Sequence, residues 1–541
     1  MTGLLACGEN DAQPSTDADA SMRDDLHPMP DAQLEAPGGP PPSCTVGLCA
    51  SDACQDAERK DLAHGCRFYA AQLDNIDSDD GKMMMLLLTN SDPTTPANFR
   101  IELRAPDGWT LAAPQGVVPA GGGAVRVEVA RPLLTNGYAQ AGAFRITSDS
   151  PILATEIIGD DSDRNSTSSS GTVLLPAHAL DRRYMALAFS QLAGDTVAAT
   201  PGSRDGAGVI AIIATRDGTT VNLTPKIVTL VDRGVSYPGM PGGDYTASLD
   251  EGDVLQVFSY QAGGDLSGTM INADQPVVVF SGNIFTTYGY VVQGFDGGDM
   301  AIEQMPPLSA WGSEYVGARL APQDHCDPFL MPGGGMWQVM AAQDGTKITI
   351  SPSGGTLIDI NDTLFSMPTQ FVLNSGQSRV FTTLPDPSWP TDSPPPTGDI
   401  VAIGDSGSPI LLAQWLDCEP GLSLGMDTRF GTKTNMTVAF PPGFDQQLTI
   451  TRRGKMPVQF DGYPIPDYYF QRISKDYEYE VARLTEDQFG SCLNEVDLGC
   501  KHTITSPLSG VALGWRGADV VCSYAVTVPP SNPCILPGCV P

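Results

Sequence analysis

The sequence predicts an all-β protein of about four tandem, related β-sandwich-like units packed together, and three observations carry that prediction. Glycine (58) and proline (46) make up about a fifth of the 541 residues, which suits many turns between short strands. Helical periodicity is nearly absent; apolar residues come in short runs bounded by Gly, Pro, Asn and Asp, as strands do. One stretch also repeats: Asp217-Gly-Thr-Thr-Val-Asn-Leu-Thr-Pro225 returns as Asp344-Gly-Thr-Lys-Ile-Thr-Ile-Ser-Pro352. A long-period repeat marks an array of similar units. These units exceed the roughly 40 to 50 residues of a propeller blade, which favours sandwiches, with a propeller-like arrangement as the alternative.

Residues 1–7 read as the remnant of a lipoprotein signal. Leu4-Leu5-Ala6-Cys7 resembles a lipobox and makes Cys7 the candidate lipid anchor, although the basic and apolar regions of a full signal do not precede it. An incidental cysteine in a disordered tail is the competing reading. Residues 8–43 hold eight acidic residues against one basic, many prolines and almost no large apolar residue, so they read as a disordered acidic tether. Residues 44–82 form a Cys-rich lead-in with Cys44, Cys49, Cys54 and Cys66 and one short helix at 55–64. Twelve cysteines clustered towards both ends point to disulfides in an oxidising compartment. Zinc is the weaker reading, because no Cys-x2-Cys pair or matching His accompanies them. The pairs predicted are Cys326 with Cys418 and Cys492 with Cys500.

The β units are expected at 83–173, 174–303, 304–430 and 431–528, followed by a Cys/Pro-rich tail at 529–541. In the second and third, an apolar run meets an Asp-Gly turn, a strong hairpin signal. A Leu-x-x-Gly turn follows, Leu249-Asp-Glu-Gly252 or Leu373-Asn-Ser-Gly376. Units close on Asp-x-Pro or a similar turn: Ser148-Asp149-Ser150-Pro151, Ala273-Asp274-Gln275-Pro276 and Gly404-Asp405-Ser406-Gly407-Ser408-Pro409. Such turns recur because the backbone angles need those residues, not because they bind anything.

Acidic residues outnumber basic ones 63 to 30, a formal net charge of −33. That balance excludes a nucleic-acid partner, since phosphate binding rests on Lys and Arg displacing counterions. No apolar run approaches the roughly 18 residues of a membrane span, so a lipid anchor would be the one membrane contact.

Gly404-Asp405-Ser406-Gly407 resembles the nucleophile segment of trypsin-like proteases. That chemistry needs a His base, and none of His27, His64, His178, His325 and His502 lies in the matching context. The repeat explains the segment as a turn. Asp160, Asp161 and Asp163 make a weak calcium candidate, since hard cations want converging carboxylates, but no EF-hand spacing is present and a solvated loop is the plainer reading. No other cofactor is expected. Tyr288, Tyr290 and Phe295 are candidate ligand-surface aromatics, as are Trp311 and Tyr315, with strand packing as the default.

Gly65-Cys66-Arg67-Phe68-Tyr69-Ala70-Ala71-Gln72-Leu73-Asp74-Asn75, and Glu303-Gln304-Met305-Pro306-Pro307-Leu308-Ser309-Ala310-Trp311-Gly312-Ser313-Glu314-Tyr315, resemble the N-terminal domain of the IgGFc-binding protein family. The likeness runs over roughly 66–526. It implies an extracellular recognition or adhesion module with no known catalytic residues and without the von Willebrand-type repeats of animal members; together with the lipobox-like start it suggests a bacterial surface version. The expectation is thus a non-catalytic, lipid-anchored cell-surface or outer-membrane protein that binds an extracellular protein or glycan. A secreted form is the alternative location. An extracellular carbohydrate-active enzyme and a passive envelope or mucus-layer component are the alternative functions.

Overall fold

The two Asp-Gly turns do not close hairpins; each carries the chain from one β-sheet to another. The computed structural model describes residues 47–60, 63–73, 84–130, 140–158, 170–189, 207–227, 229–230, 245–259, 264–286, 299–320, 336–360, 366–384, 398–416, 422–427, 435–440, 445–474, 476–485, 500–506, 511–518 and 523–527. Strand Gly208–Ala214 pairs with Asp253–Ser259 and Val277–Thr286, whereas Thr219–Thr224, just past the turn, pairs with Tyr245–Leu249 and Met270–Ala273. Met336–Ala341 and Thr346–Pro352 part company in the same way. Burial explains the correction. Gly208–Ala214 and Met336–Ala341 are buried on both faces, while Thr219–Thr224 alternates buried and open positions. A strand covered on both sides and a strand with one wet face belong to different layers. Gly218 and Gly345, both at φ +67°, supply the left-handed backbone at the corner.

The closing turns switch layers too. Met270–Ala273 and Val277–Thr286 lie in different sheets, as do Ile400–Gly404 and Ile410–Trp415. Around Asp149 the switch needs no break: the single strand Phe144–Ile158 pairs through its first half with Ala97–Ala105 and through its second with Met84–Asn90.

Among the described residues one strand order is found at four places. Gly123–Val129, Met84–Asn90, the second half of Phe144–Ile158 and Ser170–Val173 lie side by side in that order. So do Asp253–Ser259, Gly208–Ala214, Val277–Thr286 and Asp299–Gln304. The same holds for Ser378–Leu384, Met336–Ala341, Ile410–Trp415 and Leu422–Leu424, and for Tyr479–Thr485, Asp445–Arg453, Val511–Ala518 and Ser523–Thr527. Every pairing within these four sets is antiparallel.

Apolar cores join these sheets. Ile210 and Ile212 share a core with Val221, Trp337, Ile348 and Trp415, while Val209, Ala211 and Ile213, on the opposite face of the same strand, share another with Phe68, Tyr69 and Phe144. Residues of 445–505 contribute to a third core with Met85, Leu87 and Leu153 and to a fourth with Val316 and Val401.

Among the described residues the α-helix is Asp52–Lys60, close to the 55–64 expected. A disulfide joins Cys54 on it to Cys66 on strand Gly65–Ala70, with Cα atoms 5.7 Å apart, and Cys49 is also disulfide-bonded. Of the pairs predicted from sequence, Cys326, Cys418 and Cys492 lie outside the described residues, and Cys500 opens strand Cys500–Thr505. No helix among the described residues is long and apolar enough to cross a membrane.

Candidate functional site

The segments that carry the sequence-predicted site residues are attached to a buried polar seam. Strands Ser170–Val173 and Asp299–Gln304 are each the last strand of their sheet, and side chains tie them together. Ser170 Oγ donates to the Ile302 carbonyl (3.0 Å) and accepts from the Ile302 amide (3.0 Å). Thr172 Oγ1 accepts from the Gln304 amide (3.0 Å) and donates to Glu303 Oε2 (2.5 Å), and Gln304 Oε1 accepts from the Leu175 amide (2.8 Å). Numbers rise together along both strands, so they run the same way. The segments preceding them, 159–169 and 287–298, therefore attach at the same end.

Those segments contain Asp160, Asp161, Asp163, Tyr288, Tyr290 and Phe295, all of which lie outside the described residues, as does Cys7. The seam itself holds two buried carboxyls, Glu156 and Glu303. Glu156 faces Thr172 across the strand pair, as Ser281 faces Glu303. Burial raises the pKa of Glu156 well above the usual 4.5, against a weaker lowering influence from the Ala71 amide, and raises that of Glu303 well above 4.5 against the Thr172 hydroxyl. Among the described residues Glu303 Oε1 has no hydrogen-bond partner. No group of three or more His, Cys, Asp or Glu side chains that could hold a metal is gathered among the described residues. The sequence reading missed this pair. The signal for Glu303 was the Glu303-Gln304-Met305-Pro306-Pro307 stretch, whose first two side chains form the seam.

The protease-like segment is a turn. Asp405 pairs with Lys347 on the surface (3.2 Å) and Ser406 sits at φ +58°. Among the histidines, His64 Nε2 lies 3.4 Å from Ser91 Oγ, His502 Nδ1 meets Asp461 Oδ2 (2.7 Å), and His178 stands in the short 3-10 turn Ala177–Ala179. Trp311 and Tyr315 are core: Trp311 Nε1 donates to the Pro306 carbonyl (3.2 Å), and Tyr315 Oη accepts from the Gly312 amide (3.0 Å). A cleft lined by Val316, Leu320, Trp337, Gln414 and Leu424 measures about 230 Å³ with the solvent at its mouth counted. Its lining carries no carboxylate.

Comparison with known proteins agrees with the motif resemblance. The human IgGFc-binding protein is 30% identical over 191 residues, a stretch covering 34% of this chain but only 3% of that much longer protein. A solved anti-sigma factor domain-containing protein aligns over 69% of this chain and 87% of its own at 11% identity with a TM-score of 0.11. Residues 170–507, more than half of the chain, match the family described as IgGFc binding protein, and they include the seam strands, both Asp-Gly corners and the Glu303-to-Tyr315 stretch. The chain belongs to the IgGFc-binding protein family.

Proposed function

We propose that the protein is a non-catalytic binding protein acting on the extracellular side, and that it engages an extracellular protein at the end of the body where segments 159–169 and 287–298 attach. Support for the class of function is the family, whose human relative is named for binding IgG Fc. The observation that carries the location is the matched direction of Ser170–Val173 and Asp299–Gln304, bonded through Ser170 and Thr172. It brings the attachment points of an acidic and an aromatic segment together on one rigid base. Aromatic side chains there suit an interface, where Tyr and Phe carry much of the affinity.

In this reading the body is four two-sheet units, supported by the recurring strand order. Adhesion at a cell surface through a lipid on Cys7 belongs to the same proposal, on the strength of Leu4-Leu5-Ala6-Cys7 and the acidic stretch behind it. Calcium on Asp160, Asp161 and Asp163 is an optional part. The test is surface plasmon resonance of the full chain against a panel of extracellular proteins that includes immunoglobulin Fc, with and without calcium. A saturable ligand whose binding falls about tenfold or more in Tyr288→Ala/Tyr290→Ala/Phe295→Ala supports the proposal. Binding that this triple substitution leaves intact places the surface elsewhere. Intact mass and detergent partitioning of the protein made from its natural gene test the anchor: no added acyl mass on Cys7 removes it.

A further inference from the structure

We propose that Asp107 is a modification site, at which the Asp107-Gly108 bond passes spontaneously through a cyclic succinimide to isoaspartate. The step needs no co-reactant. The Gly108 nitrogen attacks Asp107 Cγ and a water leaves; water then adds back at either ring carbonyl, restoring aspartate or leaving the main chain routed through Cβ and Cγ. Mass and charge end unchanged, and the backbone is one atom longer. Glycine permits the attack, because no Cβ shields its nitrogen. The sequence places Asp before Gly seven times, at 80, 107, 205, 217, 296, 344 and 461, and by itself ranks them equally. Of these, 107, 217, 344 and 461 lie among the described residues.

Geometry separates the four. Ring closure needs the carboxyl to swing onto the next nitrogen, and at three of the pairs it is held. Asp217 Oδ1 accepts from the Glu251 amide (3.0 Å) while the Gly218 amide donates to Asp250 Oδ1 (3.0 Å). Asp344 and Gly345 are engaged in the same way by the Ser375 amide (2.9 Å) and Asn374 Oδ1 (3.0 Å). Asp461 is held through both oxygens, by His502 Nδ1 (2.7 Å) and the Thr503 amide (2.7 Å). Asp107 differs. It stands exposed in the two-residue turn between strands Ala97–Ala105 and Gly108–Leu111, and its carboxyl has no hydrogen bond or ion pair among the described residues. Gly108, at φ +127°, has open space beside it: a Cβ there would meet nothing within 4 Å. Strand Gly108–Leu111 ends its sheet and pairs only with Ala97–Ala105 among the described residues, so the local opening that ring closure requires costs little. The added backbone atom falls immediately ahead of Trp109, whose ring meets the Arg145 guanidinium at 4.1 Å and the Tyr69 ring at 6.4 Å, so the change reaches the contact by which this hairpin packs on the body.

The test incubates the full chain at neutral pH and body temperature, folded and in urea, and follows isoaspartate at each pair by peptide mapping with an isoaspartyl O-methyltransferase and labelled S-adenosylmethionine. In the folded chain, accumulation at 107 is expected to outpace that at 217, 344 and 461 by about tenfold or more, because each hydrogen bond that must break first slows ring closure by up to about that factor. In urea the four rates are expected to converge, since those bonds are gone. Asp107→Glu, whose carboxyl is one carbon too far along for the five-membered ring, is expected to abolish the label on its peptide and leave the melting temperature unchanged. Equal rates at the four pairs of the folded chain overturn the proposal. So does a folded chain that gains no isoaspartate at 107 over a period in which the urea-unfolded chain gains it. The same lead at 107 in urea as in the folded chain overturns the assignment of that lead to the fold.

Discussion

At Asp217 and at Asp344 the same corner is bonded in the same way. Asp217 Oδ1 accepts from the Glu251 amide (3.0 Å) and Asp344 Oδ1 from the Ser375 amide (2.9 Å), while the amides of Gly218 and Gly345 donate to Asp250 Oδ1 and Asn374 Oδ1, each at 3.0 Å. The amides of Gly252 and Gly376, both left-handed, bond the carbonyls of Ala214 and Ala341, each at 2.9 Å. Beyond that the two part. Glu251 reaches across to Arg67 (2.7 Å), Arg145 (3.1 Å) and the Tyr69 hydroxyl (2.8 Å), with Trp109 stacked on Arg145 at 4.1 Å. Its counterpart Ser375 turns its hydroxyl back to the Ala342 carbonyl (3.0 Å), and the neighbouring Gly376 packs on Gly268 instead. Short-range chemistry fixes the turn, and one side chain decides whether the next layer is held by ions or by backbone contact.

Substitutions can break this contrast, and the largest effect is expected at the backbone contact. A Cβ on Gly268 (φ +81°) would stand 2.1 Å from the Gly376 carbonyl oxygen, so Gly268→Ala should destabilise by about 3 kcal/mol or more, summing left-handed strain and overpacking. Urea unfolding checks it; a loss under 1 kcal/mol would mean that the contact is loose. Second comes Glu251→Ala, which strands two cations and a phenol. About 2 kcal/mol is expected, below a fully buried pair because the site keeps some solvent, whereas Ser375→Ala should stay within about 0.5 kcal/mol. Similar losses at the two positions would erase the distinction. Third, Asp217→Ala and Asp344→Ala should each cost about 1 kcal/mol, because the bonds they lose match. A clear difference between them would show that the corners are not equivalent.

The smallest effect is one of sign. Burial alone would raise the pKa of Glu251, but the Tyr69 hydroxyl, Arg67 and Arg145 outweigh it and hold the carboxyl below the usual 4.5. Its contribution is present above the unfolded value and is lost as pH falls through the folded one. Glu156 runs the other way. Its raised pKa leaves stability intact below about 4.5 and lowers it as pH climbs towards the folded value, because the unfolded chain gives up its proton first. Glu251→Gln should therefore lose most stability at neutral pH and little in acid. Glu156→Gln should gain stability at neutral pH and lose that gain in acid. Chemical unfolding at pH 4 and pH 7 separates the two signs.

Much of the fold was legible beforehand. The Asp-Gly and Leu-x-x-Gly turns, the closing prolines and the short helix all rest on residues within a few positions of each other, where backbone angles decide. Taking Asp217-Gly218 as a hairpin failed because a two-residue turn looks the same locally whether the next strand pairs with the last one or leaves its sheet. The cue was present in Gly208–Ala214, continuously apolar, against the alternating Thr219–Thr224. Tyr463 and Tyr468, 78% and 79% exposed, could not be told in the sequence from core aromatics, since Phe460, Tyr469 and Phe470 share their composition and spacing.

By itself the sequence determined the class of fold, the turns, the family and the strong negative charge, all of which follow from composition and from neighbours along the chain. Only the tertiary structure decided which strands share a sheet, that Thr172 meets Glu303 and Arg67 meets Glu251, and that Tyr463 and Tyr468 stand outward while Phe460, Tyr469 and Phe470 turn to the core. Those facts depend on contacts between residues more than a hundred positions apart or on which face a core covers. Pairing and burial are settled by competition among many apolar surfaces at once, and no local pattern carries that outcome.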